Sequence, residues 1–391
     1  VTQRRTTDIL EIEQRSGSGL WSADIALVRG QGSTIWDADG HSYIDCLAGI
    51  AVASVGHANP RLVRALSEQA QRLIVCPQNM GNDTRAAFLE KLFTFISPPL
   101  TRAFLCNSGT EANEAALKWA RAATGRTKFV AAKRGFSGRT MGALSLTWEK
   151  AYREPFQPLR YEADFVPFND LEALEAAVTE EVAAVFLEPI QGEGGIHLAT
   201  EEYLQGAERL CRERGALFIV DEVQTGVGRT GQFLASESSG VAPDMVTLAK
   251  GLGGGFPVGA VLLTDEVAKS MPPGGHGTTF GGNPLASAAA LAVLEEIEER
   301  DLLSHVSEVG TRLKEGLESV GSARVRAVRG AGLILGLELK EKAAATIAAL
   351  RERGVLVINA GSTVIRFVPP LVITREEVDE VVEAVGAALT E

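Results

Sequence analysis

The chain's 391 residues are 45% hydrophobic, enough to build a large core beside a smaller second domain and too apolar for a disordered chain. A formal net charge of −12 disfavours nucleic acid as a partner, because phosphate binding needs a concentrated basic surface. Four scattered cysteines without CxxC spacing (Cys46, Cys76, Cys106, Cys211), no run of about 18 apolar residues, and a start leading through Arg4 and Arg5 into Asp8 and Glu11 predict a cytoplasmic protein with reduced thiols and no membrane span.

In chain order, the first predicted element is a hairpin with strands at 26–29, 34–37 and 41–45 and Asp39-Gly40 at its turn. Short β-branched or aromatic runs then alternate with helical patterns, the signature of a mainly parallel sheet. Strands are expected at 103–106, 129–132, 184–187, 217–220, 246–248 and 259–263, with helices at 110–124, 171–178 and 202–214 between them. Beyond about Arg300 the pattern becomes a helix at 302–320, strands at 324–328, 333–339 and 364–368, and a last helix near 375–389. The fold class is therefore α/β, with an N-terminal segment (1–55), a large domain (56–300) and a smaller α+β C-terminal domain (301–391). The N-terminal segment is expected to pack on the C-terminal region, which makes the small domain discontinuous in sequence.

Several segments carry candidate chemistry. Asn107-Ser108-Gly109-Thr110-Glu111-Ala112-Asn113-Glu114 follows a strand and opens a helix; its first-turn amides, with the Ser108 and Thr110 hydroxyls, suit an anion, although an ordinary helix start reads the same way. Arg134-Gly135-Phe136-Ser137-Gly138-Arg139-Thr140 puts an aromatic and an arginine on a glycine-flanked loop, where Phe136 can stack on a planar ring and Arg139 can grip a carboxylate bidentately. A core phenylalanine and a solvated arginine are the bland alternatives. Glu188-Pro189-Ile190-Gln191-Gly192-Glu193-Gly194-Gly195 ends another strand and carries Glu193 to the sheet edge where ligands of open α/β sheets lie; a plain solvent carboxylate is the competing reading.

Ile219-Val220-Asp221-Glu222-Val223-Gln224 and Thr247-Leu248-Ala249-Lys250-Gly251 follow. A buried carboxylate at a strand end and a later lysine before glycines form the pair that a pyridoxal phosphate site requires. The lysine would hold the cofactor aldehyde as a Schiff base and later move the substrate proton. The aspartate would keep the ring nitrogen protonated: at roughly 4 Å and an effective dielectric near 20, such a pair is worth about 4 kcal/mol, or about three pKa units. His276-Gly277-Thr278-Thr279-Phe280-Gly281-Gly282-Asn283-Pro284 is a small-residue loop with two hydroxyls, suited to a phosphate or to mere connection. No GxGxxG opens the first βα turn, and no GxxxxGK[ST], HExxH or zinc-spaced Cys/His set occurs, which removes nicotinamide dehydrogenase, P-loop NTPase and zinc hydrolase readings. No metal is expected, and His57 reads as a turn residue.

Together these segments resemble the class III, ornithine/acetylornithine-type (subgroup II) pyridoxal-phosphate-dependent aminotransferases of fold type I, over nearly the whole chain. The resemblance implies a large domain with a mainly parallel seven-stranded sheet and a homodimer with shared active sites. It makes Lys250 the Schiff-base lysine, pairs Asp221 with the ring nitrogen, and puts Gln224 near the phenolic oxygen. Phe136 and Val223 take the two ring faces; Ser108, Gly109 and Thr110 hold the phosphate, joined by Thr279 from the partner subunit. Arg139, Glu193, Thr278 and Arg366 are the implied substrate-binding residues. Arg139 would take the carboxylate remote from the reacting amine, Arg366 the α-carboxylate of glutamate, and Glu193 would pair with Arg366 whenever an ω-amine is bound. A silent relative and an aminomutase remain as other readings; retention of Lys250, Asp221 and Glu193 argues against the first, and a requirement for 2-oxoglutarate would exclude the second.

Within the family, Ser137 stands where the loop usually carries His, and Thr147-Trp148-Glu149-Lys150-Ala151-Tyr152-Arg153-Glu154-Pro155-Phe156 resembles the lysine-biosynthesis branch of Thermus and Deinococcus type. That branch acts on aminoadipate semialdehyde linked to a small acidic amino-group carrier protein, with glutamate and 2-oxoglutarate as the other pair; acetylornithine or dual arginine/lysine activity is the alternative. From Lys133 to Arg160, six basic residues (Lys133, Arg134, Arg139, Lys150, Arg153, Arg160) against Glu149 and Glu154 give a local +4 that would steer an acidic carrier, unless it is a solvated face.

Overall fold

The computed structural model describes residues 4–20 and 22–390. Near the N-terminus, β1 (Leu27–Gln31), β2 (Thr34–Asp37) and β3 (Ser42–Asp45) form an antiparallel meander. Its second turn closes because Asp37 Oδ1 accepts from the amides of Asp39 (3.0 Å) and His41 (2.9 Å), while Gly40 takes a φ of 94° that a side chain would resist.

The central sheet draws on β4 (Leu100–Cys106), β5 (Lys128–Ala132), β6 (Glu162–Val166) and β7 (Val182–Leu187). After a small hairpin of β8 (Ile190–Gln191) and β9 (His197–Leu198), it is completed by β10 (Leu217–Asp221), β11 (Met245–Leu248) and β12 (Gly259–Thr264). The seven strands lie in the order β4-β12-β11-β10-β7-β5-β6, and β12 alone runs antiparallel to its neighbours. Helices cover both faces, so the inner strands are apolar throughout; every residue of β7 and β11 is buried.

Six of these strands match the expected runs, and β6 is the addition. At the sheet edge its Glu162 and Asp164 stay partly in water, with Asp164 2.9 Å from Lys128 Nζ, so the continuous apolar pattern of an inner strand is missing. Helices Pro60–Arg72, Asp83–Leu92 and Pro284–Glu299 are also additions. Each begins at an asparagine, Asn59, Asn82 or Asn283, whose side chain accepts from a first-turn amide.

Toward the C-terminus, β13 (Val325–Ala331), β14 (Ile334–Leu339), β15 (Val355–Leu356), β16 (Ile358–Ala360) and β17 (Val364–Phe367) follow the helix Leu302–Ser319, and the helix Arg375–Thr390 ends the fold. Strands β13, β14, β17 and β16 form one antiparallel sheet. β15 leaves it to pair in parallel with β3, Val355 opposite Ile44, which ties the two ends of the chain into one sheet. Arg229, wholly buried, donates to the carbonyls of Leu333 (3.0 Å) and Pro369 and so fastens the loop after β10 to these C-terminal strands.

Candidate active site

Loops leaving the carboxyl ends of β4, β5, β7, β10 and β11 converge on a cavity of about 430 Å³, the edge where open α/β sheets hold their ligands. Asp221 is the last residue of β10. Its Oδ1 accepts from Val223 N (3.0 Å) and its Oδ2 from Asn113 Nδ2 (2.9 Å), and the same Asn113 amide donates to the Ser137 carbonyl at 2.7 Å. Asn113 thus clamps the carboxylate to the Phe136 loop. Burial pushes the Asp221 carboxyl up to about 6, against the opposing hydrogen bonds and the charge of Lys250.

Glu188, just past β7, accepts from Phe136 N (3.0 Å) and Gly192 N (3.3 Å). Burial, with the Asp221 charge second, pushes it up to about 8, against the two amides it accepts from.

Lys250 follows β11 and opens a single 3₁₀ turn with a φ of 41°, a left-handed conformation unusual for a residue with a side chain. Ser54 Oγ donates to the Gly251 carbonyl at 2.7 Å and pins that turn. Burial draws the Lys250 ammonium down to about 8; Arg366 adds to the effect, and Glu193, Asp221 and Glu188 oppose it. Residues 48–51 also hold a left-handed turn, with φ between 49° and 67°, just before Val52, which lines the cavity. Nothing in the sequence reading marked that turn.

The helix Gly109–Thr124 begins at the cavity wall. Ser108 is its N-cap, accepting from Glu111 N at 3.3 Å, and Ser108, Gly109 and Thr110 line the cavity. A Cβ at Gly109 would stand 2.7 Å from Val223 Cγ1, and one at Gly138 would stand 2.3 Å from Thr110 Oγ1. Both glycines are what let these backbones close around the site.

Arg366, on β17, is wholly buried, and its Nη1 donates to Glu193 Oε1 at 2.7 Å and to Gln224 Oε1 at 3.1 Å. Its Nε and Nη2 are buried with no hydrogen-bond partner among the described residues. Arg139 lines the cavity with Phe136 and Glu193, its guanidinium 3.4 Å from the ring centre of Tyr152. Thr278 and Thr279 do not line the cavity of this chain: Thr278 Oγ1 accepts from Nδ2 of the cavity-lining Asn107 at 3.2 Å, and Thr279 is exposed. Asn113, Glu188 and Tyr152 had no assigned task in the sequence reading. Glu188 ends its strand as Asp221 does, and Asn113 is a lone amide on an alanine-rich helix face; those were the available signals.

The Aminotransferase class-III profile matches residues 19–389. The chain belongs to the class-III aminotransferases. This aminotransferase is 51% identical to the LysW-aminoadipate semialdehyde transaminase of Deinococcus radiodurans, over 96% of its own length and 88% of that protein's. It is 44% identical to the acetylornithine aminotransferase of Methanothermobacter thermautotrophicus, over 98% and 99%. The crystal structure of ornithine aminotransferase from Toxoplasma gondii superposes with a TM-score of 0.94 at 33% identity, covering 99% of this chain and 95% of that one. A second structure of that enzyme reports partial occupancy of pyridoxal phosphate at its active site.

Class-III aminotransferases use pyridoxal phosphate, and the cavity of this aminotransferase fits it. A capped helix N-terminus offers amides and a hydroxyl to a phosphate, and a buried carboxylate and an amine of lowered pKa line the same cavity. No helix among the described residues is long and apolar enough to cross a membrane.

Proposed function

We propose that this aminotransferase moves an amino group between glutamate/2-oxoglutarate and the terminal amine or aldehyde of lysine or aminoadipate semialdehyde carried on a small acidic protein. The observation that carries the two-substrate reading is Arg366: wholly buried, paired to Glu193, and left with two unsatisfied nitrogens. A buried guanidinium in that state is a receptor for a carboxylate, and its Glu193 partner is 39% exposed at the side chain and free to swing away. Glutamate's α-carboxylate would take Arg366 once Glu193 releases it; an ω-amine would leave the pair closed.

Pyridoxal phosphate supplies the aldehyde and the electron sink. Ser108, Gly109 and Thr110 would hold its phosphate, with Thr279 of a two-fold-related subunit. Phe136 and Val223 would flank its ring, and Asp221 would face the ring nitrogen, with Gln224 on the Arg366 side. Lys250 Nζ, poised by its lowered pKa, takes the proton from the substrate carbon that bears the amine and later returns one. Arg139 receives the remote carboxylate.

The carrier-linked substrate is favoured by 51% identity to the LysW-dependent enzyme, against 44–46% to the acetylornithine enzymes, whose substrate is the second reading. The test compares kcat/KM for carrier-linked lysine and N-acetylornithine, each with 2-oxoglutarate. A preference of about 100-fold or more for the carrier substrate, about 2.7 kcal/mol of discrimination, is expected; equal or reversed values would give the acetylornithine reading.

A further inference from the structure

Arg139 is exposed, and among the described residues no hydrogen bond or ion pair holds its guanidinium; two rings do. Tyr152 lies 3.4 Å from it by ring centroid and Phe136 lies 5.7 Å away. A guanidinium stacks by its face while its five N–H groups radiate in its plane, so a ring on the face sets the plane and leaves every donor free for a carboxylate.

Tyr152 is itself held. It sits on the single helical turn Lys150–Arg153, started by Glu149 Oε1 accepting from Ala151 N at 3.3 Å. The next residue, Arg153, anchors that turn: its guanidinium packs 4.6 Å from the Phe165 ring and donates to the Trp148 carbonyl at 3.2 Å. Trp148 packs edge-on against Phe165 at 5.3 Å, and its amide donates to the Gly135 carbonyl at 2.9 Å, one residue before Phe136. The anchor therefore reaches back into the loop that carries Arg139.

We infer that Tyr152 is a positioning residue that sets the plane of Arg139 and thereby selects substrates bearing a carboxylate remote from the reacting amine. This rests on the reading of Arg139 as the carboxylate receptor. Without the ring, a long exposed arginine samples many rotamers, and the cost of ordering it falls on substrate binding. The proton transfer at Lys250 is untouched. The selection therefore shows in KM and not in kcat.

The test uses holoenzyme of the wild type, Tyr152→Phe, Tyr152→Leu and Arg139→Gln, with N-acetylornithine as the carboxylate-bearing amine and n-pentylamine as an amine without one. Tyr152→Leu should raise KM for N-acetylornithine about five- to tenfold with kcat nearly kept, and leave single-turnover rates with n-pentylamine unchanged. Tyr152→Phe, which keeps the ring, should match the wild type. An unchanged KM in Tyr152→Leu, equal losses with both amines, or a Phe variant as impaired as the Leu variant would overturn the inference. Arg139→Gln separates the two levels: if it leaves the N-acetylornithine KM intact, the receptor reading of Arg139 falls and the inference with it. If it raises that KM while Tyr152→Leu does not, only the inference falls.

Discussion

Arg366 and Glu193 meet at 2.7 Å across two separate parts of the fold, the arginine on β17 of the C-terminal sheet and the glutamate in the turn between β8 and β9. Gln224, from the loop after β10, braces the same Nη1 at 3.1 Å, so the guanidinium stays placed when Glu193 leaves. Glu193→Ala should slow the ω-amine half-reaction about tenfold or more, because the buried charge is then unopposed, while the glutamate half-reaction is kept or accelerated. Single-turnover absorbance changes with each amine measure this; parallel losses in both would remove the switch.

Lys250 gives a pH signature. Its folded-state value of about 8 lies below the ordinary 10.5, so between these values the unfolded chain binds the proton that the folded apoenzyme has lost. This group's contribution to stability therefore rises with pH across that window, and the neutral nucleophile dominates above about pH 8. Capture of pyridoxal phosphate by apoenzyme should follow an apparent pKa near 8; a rate still climbing toward pH 10.5 would contradict the assignment. Lys250→Ala should abolish turnover and the visible absorbance of lysine-bound cofactor.

Gly109 is fixed by a close approach. A methyl there would stand 2.7 Å from Val223 Cγ1 and 3.1 Å from Cγ2, so Gly109→Ala must push the helix start away from the loop after β10. The expected cost is about 1–3 kcal/mol of stability with weakened cofactor affinity, read by thermal melts and cofactor titration.

The basic stretch divides into working and structural cations. Arg153 is committed to Phe165 and the Trp148 carbonyl, and Arg134 bonds His197 Nε2 at 2.9 Å, whereas Lys150 is exposed. Lys150→Ala should raise KM for the carrier substrate while sparing small amines, with an effect that shrinks as salt is added. Arg153→Ala should lower the melting temperature and impair every substrate. A Lys150 variant that affects carrier-linked and free amines alike would leave the stretch a solvated face.

Much of this was legible in the sequence because the chemistry sits at strand ends. Continuous apolar runs marked six of the seven central strands, and polar residues that end or closely follow them, Asp221 and Lys250 among them, fell at the edge where a ligand must lie. Strand β6 escaped because an edge strand keeps Glu162 and Asp164 in water. Asn59-Pro60 and Asn283-Pro284 are N-cap and N1 pairs; the second ends the small-residue segment 276–284, whose glycines make it read as a connecting loop. Asn113 and Tyr152 were out of reach: the contacts that define them, to Asp221 and Arg139, join residues that sequence periodicity does not pair.

The pairing of Ile44 with Val355 bears on how the chain is made. The N-terminal meander waits for its fourth strand until roughly three hundred further residues have been synthesised, on the order of tens of seconds at about 5–20 residues per second. Throughout that interval the open edge of β3 is available to any extended segment that passes. Fragments ending before Val355 would keep that edge exposed, and aggregation of such fragments is the expected failure of a prematurely stopped chain.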